Sequence, residues 1–296
     1  MADEIQTARG SLSTNRASRW NLAVVVFTLL VLGTMVGVTI FFATKSLRNS
    51  TYQSLPFSTH TPYPRGIVDS AEPSGVAPPG VNSFKGYVRS YVTDFNGNSL
   101  TSGWDVFTGV PAGSPGGKFA SSHVVVRGGV LHLNTWKDPI YQNRWVTGGL
   151  CQCGVARVYG AYFVRSRITG DGPNQVELLW PANNQWPPEI DFNETQGGAL
   201  ATTWTIHYGP INSVDQGILK IDMTKWHTWG VIWTPKSIIY TVDGTAWGGT
   251  TNPVESPSIP MTLDFEQRTL CSVGRQCPTK GVSMLIDWVA EYSKKA

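Results

Sequence analysis

Pro188-Glu189-Ile190-Asp191-Phe192-Asn193-Glu194 places three acidic side chains within six residues, in a chain of which only 15% is charged. Polar residues alternate there with β-branched and aromatic ones, the pattern of a strand with one buried face. Successive strand side chains point to opposite faces, so Glu189 and Asp191 share one face while Ile190 and Phe192 share the core side. Glu194 has the wrong parity for the carboxylate face. One extra residue, a β-bulge at about Asn193, brings it round. The stretch therefore predicts a strand that shows two glutamates across a short gap, with an aspartate between them.

Such a trio suits cleavage of a glycosidic bond with retention, which needs two carboxyl groups about 5–5.5 Å apart. One must be ionised to attack the anomeric carbon. The other must hold a proton for the departing oxygen and then act as base toward water. Like charges held close raise the pKa of one partner, so a pair divides these roles itself. Asp191 is placed to hydrogen-bond the nucleophile. Spacing alone does not say which glutamate attacks.

Working outward, short β-type runs separated by turn residues extend from about Tyr87 to the end of the chain. Val124-Val125-Val126 and Val130-Leu131-His132-Leu133 flank Gly128-Gly129, a hairpin turn. Further runs are 159–168, 175–180, 202–208, 226–233, 237–242, 261–266 and 284–292. Glycine (31), proline (19) and tryptophan (12) are plentiful and long amphipathic helical stretches are scarce. The expected fold is all-β, two packed antiparallel sheets forming a sandwich, with no internal repeat.

Upstream, Leu22 to Ala43 carries no charge and is too long for the usual apolar core of a cleaved signal peptide, an atypical but cleaved signal being the alternative reading. A helix of about 22 residues spans roughly 33 Å, enough to cross a hydrocarbon layer of about 30 Å. Arg9, Arg16 and Arg19 precede it and Lys45 and Arg48 follow, a lean toward a cytoplasmic N-terminus. The expected organisation is a cytoplasmic tail (1–19), a transmembrane signal anchor (20–43), a disordered linker rich in proline, serine and threonine (44–86), and the catalytic body (87–296). This puts a single-pass protein in the cell membrane with its body outside the cytoplasm. The four cysteines, an even number, agree with an oxidising compartment. Three pairings are possible, and a Cys271–Cys277 bridge is the one expected. A formal net charge of +3, with scattered lysines and arginines, excludes a nucleic-acid footprint.

Glu189-Ile-Asp-Phe-Asn-Glu194 resembles the active-site signature of glycoside hydrolase family 16, the laminarinase and lichenase group. The likeness continues through Tyr159–Arg167, Trp180-Pro181-Ala182, Ile206-His207-Tyr208-Gly209, Trp226-His227-Thr228-Trp229-Gly230, Val242-Asp243-Gly244 and Ile286-Asp287-Trp288-Val289, in the family's order over about residues 91–296. It implies a concanavalin-like jelly roll. It makes Glu189 the nucleophile, Asp191 its assistant and Glu194 the acid/base. The implied substrate is a β-1,3- or mixed-linkage glucan, cleaved internally in an open cleft. No cofactor is required, but some members carry a structural calcium ion held partly by the aspartate matching Asp287. Two departures stand out: Pro187-Pro188 before the first glutamate, and a displaced second tryptophan in Asn183-Asn184-Gln185-Trp186.

Trp186, three residues before Glu189, and Trp180 are candidate sugar-stacking surfaces. Trp204 and His207 have opposite parity on one strand, so only one faces the cleft, and the resemblance favours His207. Asp264-Phe265-Glu266 reads as a solvated surface pair. No His-Glu-x-x-His zinc pattern or Gly-x-Ser-x-Gly elbow is present. The rival readings are a transglycosylase using the same intermediate, a non-catalytic carbohydrate-binding jelly roll, and a structural envelope protein. The body is expected to be a monomer whose partners are a polysaccharide and, through the N-terminal helix, a membrane.

Overall fold

The computed structural model describes residues 62–295. The candidate span 20–43, the cytoplasmic tail and the first part of the expected linker lie outside them. Among the described residues no helix is long and apolar enough to cross a membrane.

Two sheets form the sandwich. The seven-stranded sheet runs in the order Ser213–Lys220, Ala201–Tyr208, Glu189–Glu194, Asn174–Pro181, Met261–Arg268, Gly149–Cys151, Asp105–Val106. The nine-stranded sheet is built around Gly160–Ile168 and Val282–Lys294, which pair with each other and with flanking strands. Pairing within both sheets is antiparallel. The Gly128-Gly129 hairpin forms, with Arg127 opposite Val130 and positive φ at both glycines (59° and 73°), a geometry that glycine adopts without a side-chain clash.

The inward residues of both sheets interlock. Ile190 and Phe192 of the acid strand are fully buried with Leu179, Phe265, Trp229 and Ile286. Each such side chain contributes about 1.5–3 kcal/mol by leaving water. The acid strand is therefore fixed from below by apolar packing.

The expected linker does not run to residue 86 as an extended spacer. Residues 62–86 fold onto the outer face of the nine-stranded sheet, with a small antiparallel pair, Ile67–Val68 against Val76–Ala77. Tyr63, Val76 and Phe84 join a second apolar cluster with Phe163, Trp288 and Tyr292. Trp288 Nε1 donates to Val76 O at 2.7 Å, and the Tyr292 hydroxyl to Gly80 O at 2.8 Å. The cause lies in the sheet: large aromatics at its outward positions need a cover, and a proline-rich segment supplies one with a single two-residue strand pair of its own.

Candidate active site

The acid strand carries the bulge. Against one neighbour Glu189, Asp191 and Glu194 lie opposite His207, Thr205 and Thr203, with the register slipping between Asp191 and Glu194. Against the other, Asp191 and Asn193 pair with Leu178 and Glu177, so Phe192 is passed over. Phe192 and Asn193 consequently both point inward. Phe192 fills the core. The Asn193 Oδ1 accepts from Thr202 Oγ1 at 2.7 Å, and its side chain also bonds Glu177, which accepts from Ser166 of the facing sheet. Burial pushes the Glu177 carboxyl up to about 8. A neutral glutamate thus braces the bulge from inside the sandwich.

On the outward face the three acids converge. Burial, and then the charges of Glu189 and Glu194, push the Asp191 carboxyl well above the usual carboxylate range, against the opposing pull of Arg268. Carboxylate oxygens of Glu189 and Asp191 and a ring nitrogen of His207 lie within 4.8 Å of one another. His207 Nε2 is 3.7 Å from Asp191 Oδ2, and its Nδ1 is 2.8 Å from Asn212 Oδ1. Trp186 Nε1 donates to Glu189 Oε2 at 2.6 Å. Glu194 Oε1 accepts from Asn174 Nδ2 at 2.6 Å and lies 3.6 Å from Arg268.

A cavity of about 650 Å³ opens beside Glu189, walled by Phe107, Phe119, Trp180, Trp186, Asp264 and Arg268. Trp180 is steadied by a bond from its Nε1 to Asn184 Oδ1 at 3.0 Å. Trp186 remains 44% exposed and tilts against the His207 ring. Trp204 turns the other way: it stacks on Tyr240 in the core, over Gly217 and Gly248. Strand Glu189–Glu194 begins directly after Pro188, so the departure at Pro187-Pro188 leaves it intact.

Asp264 and Glu266 are not a solvated surface pair. Both line the cavity, and Asp264 is 6% exposed and accepts from Thr262 Oγ1 at 2.8 Å. Burial raises both carboxyls above their ordinary values. Together with Arg268 and Asn174 they are site residues that the sequence reading missed. Met261–Arg268 does alternate as the acid strand does, with Thr262, Asp264, Glu266 and Arg268 on one face. What that alternation lacks is the partner register, which lays this face beside the acids.

Asp287 is fully buried. One of its oxygens accepts from Ser74 N at 3.1 Å, and Oδ1 has no hydrogen-bond partner. Glu72 and Asp94 lie within electrostatic reach of it, as does Arg165. An orphaned carboxylate oxygen with further carboxylates nearby is a donor set that suits a hard cation. Cys271 and Cys277 sit with Cα atoms 4.7 Å apart, and Cys151 and Cys153 5.0 Å apart, each pair with its sulfurs at bonding distance. The Cys271–Cys277 pair is the one anticipated from spacing.

An antiparallel sandwich whose outer sheet face sets paired glutamates beside tryptophans has the build of a jelly-roll glycosidase. Residues 118–289 match the family Glycosyl hydrolases family 16, and the chain belongs to that family. Over 147 residues it is 27% identical to the endo-1,3-1,4-beta-glycanase ExsH of Rhizobium meliloti (strain 1021), and 25% identical to EglC of the same organism. The matched stretch is 48% of this chain and 32% of either relative, so the chain spans about a third of their length. Among solved structures, the laminarinase catalytic domain of Thermotoga petrophila RKU-1 superposes with a TM-score of 0.62 at 15% identity, over 71% of this chain and 99% of that one. SCLam, a non-specific endo-beta-1,3(4)-glucanase, does so with a TM-score of 0.62 at 20% identity, over 80% and 98%. At these identities the structural likeness speaks for the fold.

Proposed function

We propose that this protein is a retaining, endo-acting glycoside hydrolase that cleaves internal β-linkages of a neutral polysaccharide, a β-1,3- or mixed β-1,3/1,4-glucan. The observation that carries the reading is the bulge, which brings Glu189, Asp191 and Glu194 to one face beside an aromatic-walled cavity. Glu189 attacks the anomeric carbon. Glu194 protonates the departing oxygen, then takes a proton from the water that hydrolyses the glycosyl-enzyme. Asp191, its carboxyl raised by burial and its acidic neighbours, hydrogen-bonds Glu189 and keeps that carboxylate oriented. Trp186 supplies Glu189 with a second donor. Trp180, Trp186 and His207 bind the sugar.

The family name and the two glycanase relatives support the substrate class. Incubating protein comprising residues 52–296 with a panel of glucans and galactans, followed by chromatography of the products, tests the proposal. Shortening of a β-glucan into oligosaccharides of retained configuration is expected. Folded protein that cleaves none of the panel would overturn the reading. Products longer than the starting chains would favour the transglycosylase alternative.

Asp287 would hold a structural calcium ion through its orphaned oxygen, and thermal melting with and without a chelator checks this. We also place the protein at the cell membrane as a single-pass, monomeric enzyme with its catalytic body outside the cytoplasm. Protease accessibility of the body on intact cells is the corresponding experiment.

A further inference from the structure

We propose that Arg268 is a positioning residue that aims the Glu194 carboxyl group and, balanced by Glu266, sets the alkaline limit of activity. The inference rests on the acid/base role proposed for Glu194.

Arg268 sits at the end of strand Met261–Arg268, two strands away from the acids, on the wall of the cavity. Its Nη2 is 3.6 Å from Glu194 Oε1, and its Nε is 3.7 Å from Glu266 Oε2. The guanidinium therefore spans a catalytic and a non-catalytic carboxylate. Burial alone would lower the Arg268 pKa, but the charges of Glu266, Glu194, Glu189 and Asp191 more than offset it. Glu194 Oε1 also accepts from Asn174 Nδ2, whose strand pairs directly with that of Arg268. Asn174 and Arg268 are themselves opposite one another in that ladder. One carboxylate oxygen is thus held by the Asn174 donor and faces the Arg268 charge, the two carried on adjacent strands, which leaves the other oxygen to meet the leaving group.

The charged and titratable groups around Glu194 come from each neighbouring element. Glu189 and Asp191 share its strand, Glu266 and Arg268 lie along Met261–Arg268, and Glu177 of the intervening strand turns inward to Ser166. Of these, Arg268 is a permanent cation, and a cation favours the ionised form of a nearby acid. Glu266 works against it. Deleting either charge should therefore move the alkaline limb of kcat/KM, in opposite directions.

The test is the pH profile of kcat/KM for wild type, Arg268→Gln, Arg268→Lys and Glu266→Gln. Arg268→Gln is expected to lower kcat/KM about tenfold or more and to carry the alkaline limb upward by about one pH unit. Arg268→Lys keeps the charge and loses the planar fork, so the limb stays while the rate falls. Glu266→Gln carries the limb downward. A merely structural role would cost rate or stability with every limb in place, and that outcome overturns the proposal. If wild type cleaves no glycan, the functional reading fails on its own. Arg268 is then judged by carboxyl-carbon NMR titration of ¹³C-glutamate-labelled protein, with Glu194→Gln assigning the signal. An upward displacement of the Glu194 titration in Arg268→Gln upholds the contact, and an unmoved one overturns it.

Discussion

Trp186 Nε1 donates to Glu189 Oε2 at 2.6 Å. The side chain expected to stack on a sugar is thus also bonded to the proposed nucleophile. Trp186→Phe keeps an aromatic surface and removes the donor, worth about 1.5–3 kcal/mol for a hydrogen bond to a charged group. Steady-state kinetics should show kcat lowered about tenfold to a hundredfold with KM little changed. Trp186→Ala should raise KM as well.

The acid roles separate by leaving group. Glu189→Gln should abolish turnover of every substrate. Glu194→Gln should lose about 10²–10⁴-fold on a polysaccharide, yet retain glycosyl-enzyme formation with an activated aryl glycoside, which needs no protonation. Equal losses on both substrates would reverse or refute the assignment.

Burial and its acidic neighbours raise the Asp191 carboxyl well above the usual range, and an amide analogue preserves a hydrogen bond donated to Glu189. Asp191→Asn should keep more activity than Asp191→Ala at the same pH. If alanine matched or exceeded asparagine, hydrogen bonding to Glu189 would not be its contribution.

Glu177 links pH to stability. Its carboxyl is raised from an ordinary 4.5 to about 8. Between those values the folded state binds more protons than the unfolded one, so stability falls as pH climbs, by up to about 1.4 kcal/mol per pH unit. Below about pH 4.5 this loss is absent. Glu291, raised by burial to about 7, adds a loss of the same sign over the lower part of that window. Denaturant unfolding at pH 5 and pH 8 should therefore show a shallower fall for Glu177→Gln than for wild type. Identical falls would mean that Glu177 titrates normally.

Trp204 lies flat over two glycines. A Cβ at Gly248 would stand 2.0 Å from its Nε1, and one at Gly217 2.4 Å. The indole cannot retreat because it is stacked on Tyr240 at 5.0 Å. Gly248→Ala should cost about 1–3 kcal/mol through overpacking, read as a lowered Tm.

The sequence made the acid strand legible because two independent periodicities agreed there. Ile190 and Phe192 marked the buried side, and the odd parity of Glu194 demanded a bulge, which the register shift between Asp191 and Glu194 supplies. Parity likewise separated His207 from Trp204. Asp264, Glu266 and Arg268 escaped because their strand joins the site only through sheet order, which no local pattern encodes. Glu177 escaped for a related reason: an acid in an apolar run reads as a surface residue until its partners, Ser166 and Asn193, are known to face it. The proline-rich segment was read from composition alone, which reports how little of its own surface it can bury. The partner that buries it, Phe163, Trp288 and Tyr292, lies far along the chain.

That last feature bears on where the gene can be cut. A fragment begun at Tyr87 keeps every acid and every cleft aromatic, yet strips the lid from three bulky rings on the rear wall. Such a product would be sticky at concentration and easily mistaken for a dead enzyme, whereas a start upstream of Tyr63 retains the lid.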